Sequence, residues 1–250
     1  MLEQILDDAT VSALQDLCES QQQPLSKANE PLVARSAAVV KASAEPVALW
    51  LMRQYMETES IRFAHTPGLQ LLRKEDGLVQ GWHSDFPYHW GIDDLVPTAP
   101  EGVPQACLGV QFDIMVHDWT PENGAEVLKI GSHTLNHGPP EDWGLVRDHM
   151  QDRSLHLYDG PEAEFVGGAA GSILLYDARC WHHVGANTTD SARGCLMNCV
   201  IPAYLLQALN LPSFGLHFYR IRWMRSEQVY AAADGPELRH RGAAGVARCG

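Results

Sequence analysis

Gly171-Ser-Ile-Leu-Leu-Tyr-Asp177-Ala-Arg-Cys-Trp181-His182-His183-Val-Gly185-Ala-Asn187-Thr-Thr-Asp-Ser-Ala-Arg193 is the stretch on which the reading of this chain turns. An apolar run enters a pair of histidines, turns through glycine and asparagine, and returns on a segment that opens with arginine. Residues 171–177 read as one strand and 195–201 as the next. Similar short apolar runs, bounded by Gly, Pro, Asn or Asp, recur at 69–72, 107–116 and 126–130. Many short strands with turn residues between them predict a mainly β fold, a sandwich or a barrel.

Upstream the pattern changes period. Leu2, Ile5, Leu6, Val11, Leu14 and Leu17 have helical spacing, predicting a helix over 2–20. Residues 21–32 read as a loop. A second helix is expected over 46–57, with Pro46 tolerated in its first turn and Val47, Trp50, Leu51 and Tyr55 as its apolar face. The chain is expected to form one domain: a helical part at 1–60, a β core at 61–205 and a C-terminal extension at 206–250. Two long connections, 86–106 and 134–168, are rich in Gly and Pro, and the expected place for both is the mouth of the barrel, as a closing lid.

The balance of charge narrows the partners. Eighteen Lys and Arg against 31 Asp and Glu give a net charge of −13 over 250 residues. Nucleic acid and anionic membranes are disfavoured, and any bound anion needs a local basic anchor. The basic and aromatic stretch 217–225 is read as a solvated face with internal ion pairs. The six cysteines form no C-x-x-C pair and are too sparse for a disulfide scaffold, so a reduced, cytoplasmic protein is expected. The acidic N-terminal octapeptide does not read as a targeting signal.

His83-Ser84-Asp85 carries the first chemistry. Residues i and i+2 of a strand point to one face, so this tripeptide can offer an imidazole and a carboxylate to one ion. A third ligand has to come from elsewhere, and the histidine pair at 182–183 is the candidate. Two histidines and one carboxylate on one face of a metal make the facial triad of non-haem Fe(II) oxygenases, which leaves positions open for a bidentate co-substrate and dioxygen. His133 and His137 are four apart, but the surrounding Gly, Pro and Asn argue against the helix a metal pair would need there.

The sequence resembles the phytanoyl-CoA dioxygenase family of Fe(II)/2-oxoglutarate-dependent oxygenases. Three blocks carry the resemblance, in family order over residues 69–201. They are Trp82-His83-Ser84-Asp85; Asp118-Trp-Thr-Pro-Glu-Asn123-Gly124 running on to Gly131-Ser132-His133; and Trp181-His182 through Arg193. Lys129-Ile130 stands where an apolar residue and proline are common in the family. The resemblance implies a double-stranded β-helix, or jelly-roll, a cupin-like barrel. It also implies Fe(II), 2-oxoglutarate and O2 as cofactor and co-substrates. Family spacing puts Asn five and Arg eleven positions after the metal histidine. Asn187 and Arg193 fit both counts from His182 and neither from His183. The implied metal and catalytic set is therefore His83, Asp85 and His182, with His183 lining a turn or pocket.

Arg193 is then the anchor for the distal carboxylate of 2-oxoglutarate, a role suited to the guanidinium fork. Gln111 and Asp113, on the apolar strand 107–116, are further candidates to contact the co-substrate. Phe86, Tyr88 and Trp90 follow the metal tripeptide and are candidates for substrate contact. The implied reaction couples oxidative decarboxylation of 2-oxoglutarate, to succinate and CO2, with hydroxylation or a related oxidation of a small molecule. Asp85 argues against a halogenase, whose carboxylate ligand is replaced by a small residue. No acyl-CoA signature is present. The rival readings are a cupin-like metal- or ligand-binding barrel, which usually carries His-x-His (absent here), and a non-catalytic family member.

Overall fold

The computed structural model describes residues 1–20, 31–77, 80–92 and 106–205. Contacts divide the chain into Met1–Pro212 and Ser213–Gly250. The second unit lies outside the described residues, as do the basic and aromatic stretch 217–225 and the tail at 243–250.

Four helices precede the strands: α1 (Asp8–Ser20), α2 (Leu32–Arg35), α3 (Ala37–Ser43) and α4 (Pro46–Tyr55). α1 begins six residues later than its periodicity predicts. Leu2 instead bridges Ile173 through two backbone hydrogen bonds, and Asp7 Oδ1 caps the helix by accepting from Thr10 N at 2.9 Å. α3 is capped by Ser36 Oγ on Val39 N, and α4 by the Glu45 carboxylate on Ala48 N, with Pro46 in the first turn.

The buried face of α4 is not the expected one. Val47, Trp50 and Tyr55 are 43%, 56% and 50% exposed, whereas Ala48, Met52 and Met56 are buried. Both stripes satisfy helical spacing. Packing selects the one whose Ala48, Met52 and Met56 join the core cluster with Val110, Phe112 and Ile114 of the large sheet.

Two antiparallel sheets follow. The larger contains β1 (Ile61–Phe63), β2 (Gly68–Leu72), β3 (Val110–Met115), β6 (Ile173–Asp177) and β8 (Arg193–Pro202), in the order β1-β8-β3-β6 with β2 also paired to β8. The smaller has the order β5-β4-β7, from β4 (Glu126–Leu128), β5 (Glu164–Val166) and β7 (His182–Val184). β3 is buried on both sides, and its alternation divides two environments. Val110, Phe112 and Ile114 pack in one cluster with Leu14, Val39, Ala48 and Met52 of the helices. Gln111 and Asp113 point the other way. Phe112 is fully buried, and its burial contributes on the order of 1.5–3 kcal/mol.

The connection 134–168 departs from its expected place as a lid. It contains α5 (Val146–His149) and β5, and Trp143, Leu145 and Leu157 are buried with Trp82, Val127 and Trp181 in a cluster of their own. These apolar residues are too irregularly spaced to announce either period, yet they cover one face of the small sheet.

Candidate metal centre

His83 and His182 come together through the backbone. They form an antiparallel bridge, each N–H donating to the other's carbonyl at 3.0 and 2.9 Å. Directly paired residues share a face, so the two rings lie 4.3 Å apart between centroids. Asp85, two residues on, sits on the same side, its own N–H held by Ala178 O at 2.9 Å. His83, Asp85 and His182 each present one ligand atom within 4.8 Å of the others. Both imidazoles are nearly inaccessible, at 2% and 3% exposure.

Local structure fixes this register. Ser132, in the Gly131-Ser132-His133 turn, accepts from Trp181 N at 2.8 Å and donates to Lys129 O at 2.7 Å, clamping the residue before His182. Gly131 has φ +82°, which a glycine adopts without strain. Arg179 folds back on Asp177 through its backbone N–H, Nε and a terminal nitrogen, stiffening the link between β6 and β7. Asn187 closes the following turn by donating to Leu72 O and Ser191 O. His133 and His137 lie in that part of the chain as turn residues and join no ligand group among the described residues.

The hydrogen bonds test whether a cation fits. His83 Nδ1 lies 2.9 Å from Gly81 O and His182 Nδ1 3.0 Å from Cys180 O. A carbonyl only accepts, so each Nδ1 carries a proton and each Nε2 lone pair is the one left to take up a cation or a second proton. Those lone pairs face Asp85, with His83 Nε2 3.8 Å from Oδ1 and His182 Nε2 3.1 Å from Oδ2. Oδ2 is buried and has no permanent donor, since His182 can hydrogen bond to it only when Nε2 carries a proton. Converging lone pairs repel unless a positive charge stands among them, and the donor set is the one that suits iron. Burial pushes His83 down to about 3, so its Nε2 stays bare, whereas Asp85 overrides burial at His182 and raises it to about 9, so that without a cation a proton on His182 Nε2 balances the carboxylate in the ion's place. Burial alone would raise Asp85, but the two histidines and a hydrogen bond from Gln111 hold it well below the usual carboxylate range.

Arg193 is the second buried anchor. It is 2% exposed, lies 4.4 Å over the Trp119 ring, and donates to Gly124 O. Gly124 has φ +84°, and a Cβ there would meet Gly185 O at 2.6 Å, so the turn that supplies this carbonyl requires glycine. Arg193 Nε is buried without a partner, and among the described residues no carboxylate pairs with the guanidinium. A buried, unneutralised guanidinium fits a carboxylate ligand.

Two acids share this interior. Asp113 is 4% exposed, its carboxyl 3.4 Å from Tyr176 Oη, and burial together with Glu126 and Asp85 raises it well above the usual range. Glu126, also 4% exposed, is pushed up to about 7 by burial. Sequence reasoning missed Glu126 and Tyr176. The available signal was an acid inside the apolar run 126–130, two residues from Leu128, which pairs with His182.

The aromatics after Asp85 are mostly committed to structure. Trp90 is 5% exposed, and its N–H donates to Ser84 Oγ at 3.1 Å. Tyr88 Oη donates to Ala106 O at 2.9 Å and accepts from Leu108 N at 3.0 Å, joining the two described ends of the 86–106 connection. Phe86 keeps partial exposure and packs beside Cys199 and Ile201.

A family model described as phytanoyl-CoA dioxygenase (PhyH) matches residues 2–195. Among solved structures, the chain is similar to the non-heme alpha-ketoglutarate-dependent epimerase SnoN from nogalamycin biosynthesis. Identity is 18%, with 81% of this chain and 75% of that one covered and a TM-score of 0.55. HygX from Streptomyces hygroscopicus, with nickel and 2-oxoglutarate bound, is similar at 16% identity, 81% coverage of each chain and a TM-score of 0.56. HygX with nickel, 2-oxoglutarate and hygromycin B bound gives 17% identity, 81% and 82% coverage, and a TM-score of 0.54. No curated protein matches the sequence.

Proposed function

This chain belongs to the phytanoyl-CoA dioxygenase family of Fe(II)/2-oxoglutarate-dependent enzymes, and on that premise we propose that it hydroxylates a small organic molecule. In this reading His83, Asp85 and His182 hold the iron, and Arg193 holds the distal carboxylate of 2-oxoglutarate. Bound iron supplies dioxygen activation coupled to conversion of 2-oxoglutarate to succinate and CO2. The two antiparallel sheets are read as the halves of a double-stranded β-helix, with the helical part at 1–60 covering one half and 206–250 as an extension. The observation that carries the proposal is the convergence of two buried Nε2 atoms, each ring held by a backbone carbonyl at its Nδ1, on the Asp85 carboxylate.

The protein's own groups account for the rest. Gly81 O and Cys180 O hold the ring tautomers, so both Nε2 atoms stay available. Gln111 fixes Asp85 by hydrogen bonding its carboxylate. Burial holds Asp113 protonated and raises Glu126 to about 7, so both carry less negative charge against a dianionic co-substrate than exposed acids would, and Asp113 offers it an O–H donor. The buried interior excludes water from the charged groups and strengthens their pairing.

SnoN has been crystallised with Fe3+, alpha-ketoglutarate and nogalamycin RO, and HygX with hygromycin B. A small-molecule substrate, with Phe86 and Tyr88 at the entrance, follows the same reading here. The five described cysteines are free, as a reducing compartment keeps them, and the proposal places the enzyme in the cytoplasm. No described helix is long and apolar enough to cross a membrane. Anaerobic addition of Fe(II) and 2-oxoglutarate is expected to give the visible charge-transfer band of a chelated keto acid. Its absence, with iron bound, would reject the oxygenase reading in favour of a metal-binding barrel.

A further inference from the structure

The small sheet has a second face. Phe165, Val127 and His183 lie in register across β5, β4 and β7, on the side opposite to Glu126, Leu128 and His182. Between this row and the segment 153–159 lies a cavity of about 390 Å³, walled also by Leu157, Tyr158 and Ala186. None of the metal donors and no part of Arg193 lines it. Its volume is within the range of small-molecule sites, and its walls combine apolar and aromatic side chains with the polar Arg153, His156 and Asp159.

One polar group is buried in its wall. His183 is 7% exposed, and its Nδ1 lies 3.1 Å from Val184 O, which only accepts. The proton is therefore on Nδ1, and Nε2 is an acceptor with no hydrogen-bond partner among the described residues. The ring is held in place by Trp82, 4.7 Å away and edge-on. Tyr158 is held as firmly by stacking on Trp143, with centroids 4.1 Å and planes 8° apart. Phe165 is 53% exposed at the opening. A fixed acceptor in a wall shared with two aromatic side chains, Tyr158 and Phe165, is a recognition pattern for a flat ring with one donor.

We propose that this cavity is a second small-molecule site, taking an aromatic or heteroaromatic ring whose O–H or N–H donates to His183 Nε2 while its faces pack on Tyr158 and Phe165. The site is separate from the metal centre but shares its backbone. His183 follows His182, and the Trp82 that braces His183 precedes His83, so a ring seated here presses on both histidine-bearing segments from behind.

The test uses phenol as probe and toluene as its donor-free counterpart, with ligand-observed NMR on full-length protein loaded with nickel and 2-oxoglutarate. Saturable phenol binding is expected, with toluene at least fivefold weaker. His183→Phe, which removes the acceptor and fills the space, should weaken phenol at least tenfold. Ala186→Leu fills the cavity from its edge and should do the same should His183→Phe fail to fold. Melting temperature and 2-oxoglutarate binding report that each variant is intact. No phenol binding, toluene equal to phenol, or affinity unchanged in folded variants would each overturn the proposal.

Discussion

His182 and His183 are neighbours on one three-residue strand, both almost fully buried, and the protein treats them as opposites. His182 looks inward at the Asp85 carboxylate and is raised to about 9; His183 looks outward at Val127 and Trp82 and is lowered to about 4, chiefly by burial. β3 repeats the contrast: Phe112 packs under the helices, while Gln111 reaches Asp85 on the other side. Burial therefore does not assign chemistry to a side chain. What stands across from it does, and the alternation of a strand decides which surroundings each neighbour meets.

The sharpest way to break this comparison is to delete one histidine at a time. His182→Ala should abolish turnover and weaken iron binding by at least about a hundredfold, since loss of a ligand exceeds the 10–100-fold typical of its supporting residues. His183→Ala should keep the iron and most of the activity. Metal content after gel filtration distinguishes them, and the reverse pattern would mean that the register is wrong by one residue.

Arg193 tests the inner face at its far end. Arg193→Ala leaves a desolvated carboxylate without its counter-charge, at a cost on the order of 3–5 kcal/mol. The 2-oxoglutarate concentration for half-maximal turnover should rise at least about a hundredfold, and Arg193→Lys should recover only part of it. An unchanged requirement would move the anchor to another residue.

The two faces of β3 should fail in different ways. Phe112→Ala is expected to lower unfolding free energy by about 3–5 kcal/mol with metal affinity preserved in the folded fraction. Gln111→Ala should cost roughly 1 kcal/mol in stability but loosen Asp85, and so lower metal affinity. Denaturant melts paired with metal titration read both, and equal effects on both quantities would erase the distinction.

The smallest effect concerns the connections. Hydrogen exchange at 86–92, the described start of the first connection, should slow when co-substrate and substrate bind, because that segment leaves directly from Asp85. Trp143, Leu145 and Val146 are already buried and should change little. Equal new protection in both segments would restore the expectation that 134–168 is also a lid.

The two-residue period made His83 and Asp85 legible as partners, and the apolar runs located β2, β3, β4, β6 and β8 to within a few residues. The third donor was not legible from local pattern. Either histidine of the pair could face inward, and the choice came from the resemblance and its spacing to Asn187 and Arg193. β1, β5 and β7 have three residues each and, unlike the equally short β4, lie in no apolar run that marks them, so their pairing supplies what propensity does not. α4 had two acceptable stripes, and only the surface it packs on chooses between them. Glu126 stayed hidden because an acid in a short strand ordinarily faces water; its inward direction is set by the pairing of Leu128 with His182.

The central claim is that one iron is held by His83, Asp85 and His182, where the bridge from His83 meets β7. Anomalous diffraction at the iron edge, from anaerobically loaded crystals, tests it without relying on turnover. The account predicts a single strong peak within bonding distance of His83 Nε2, His182 Nε2 and an Asp85 carboxylate oxygen. A peak on His183, or one that lacks any of the three donors, would contradict it.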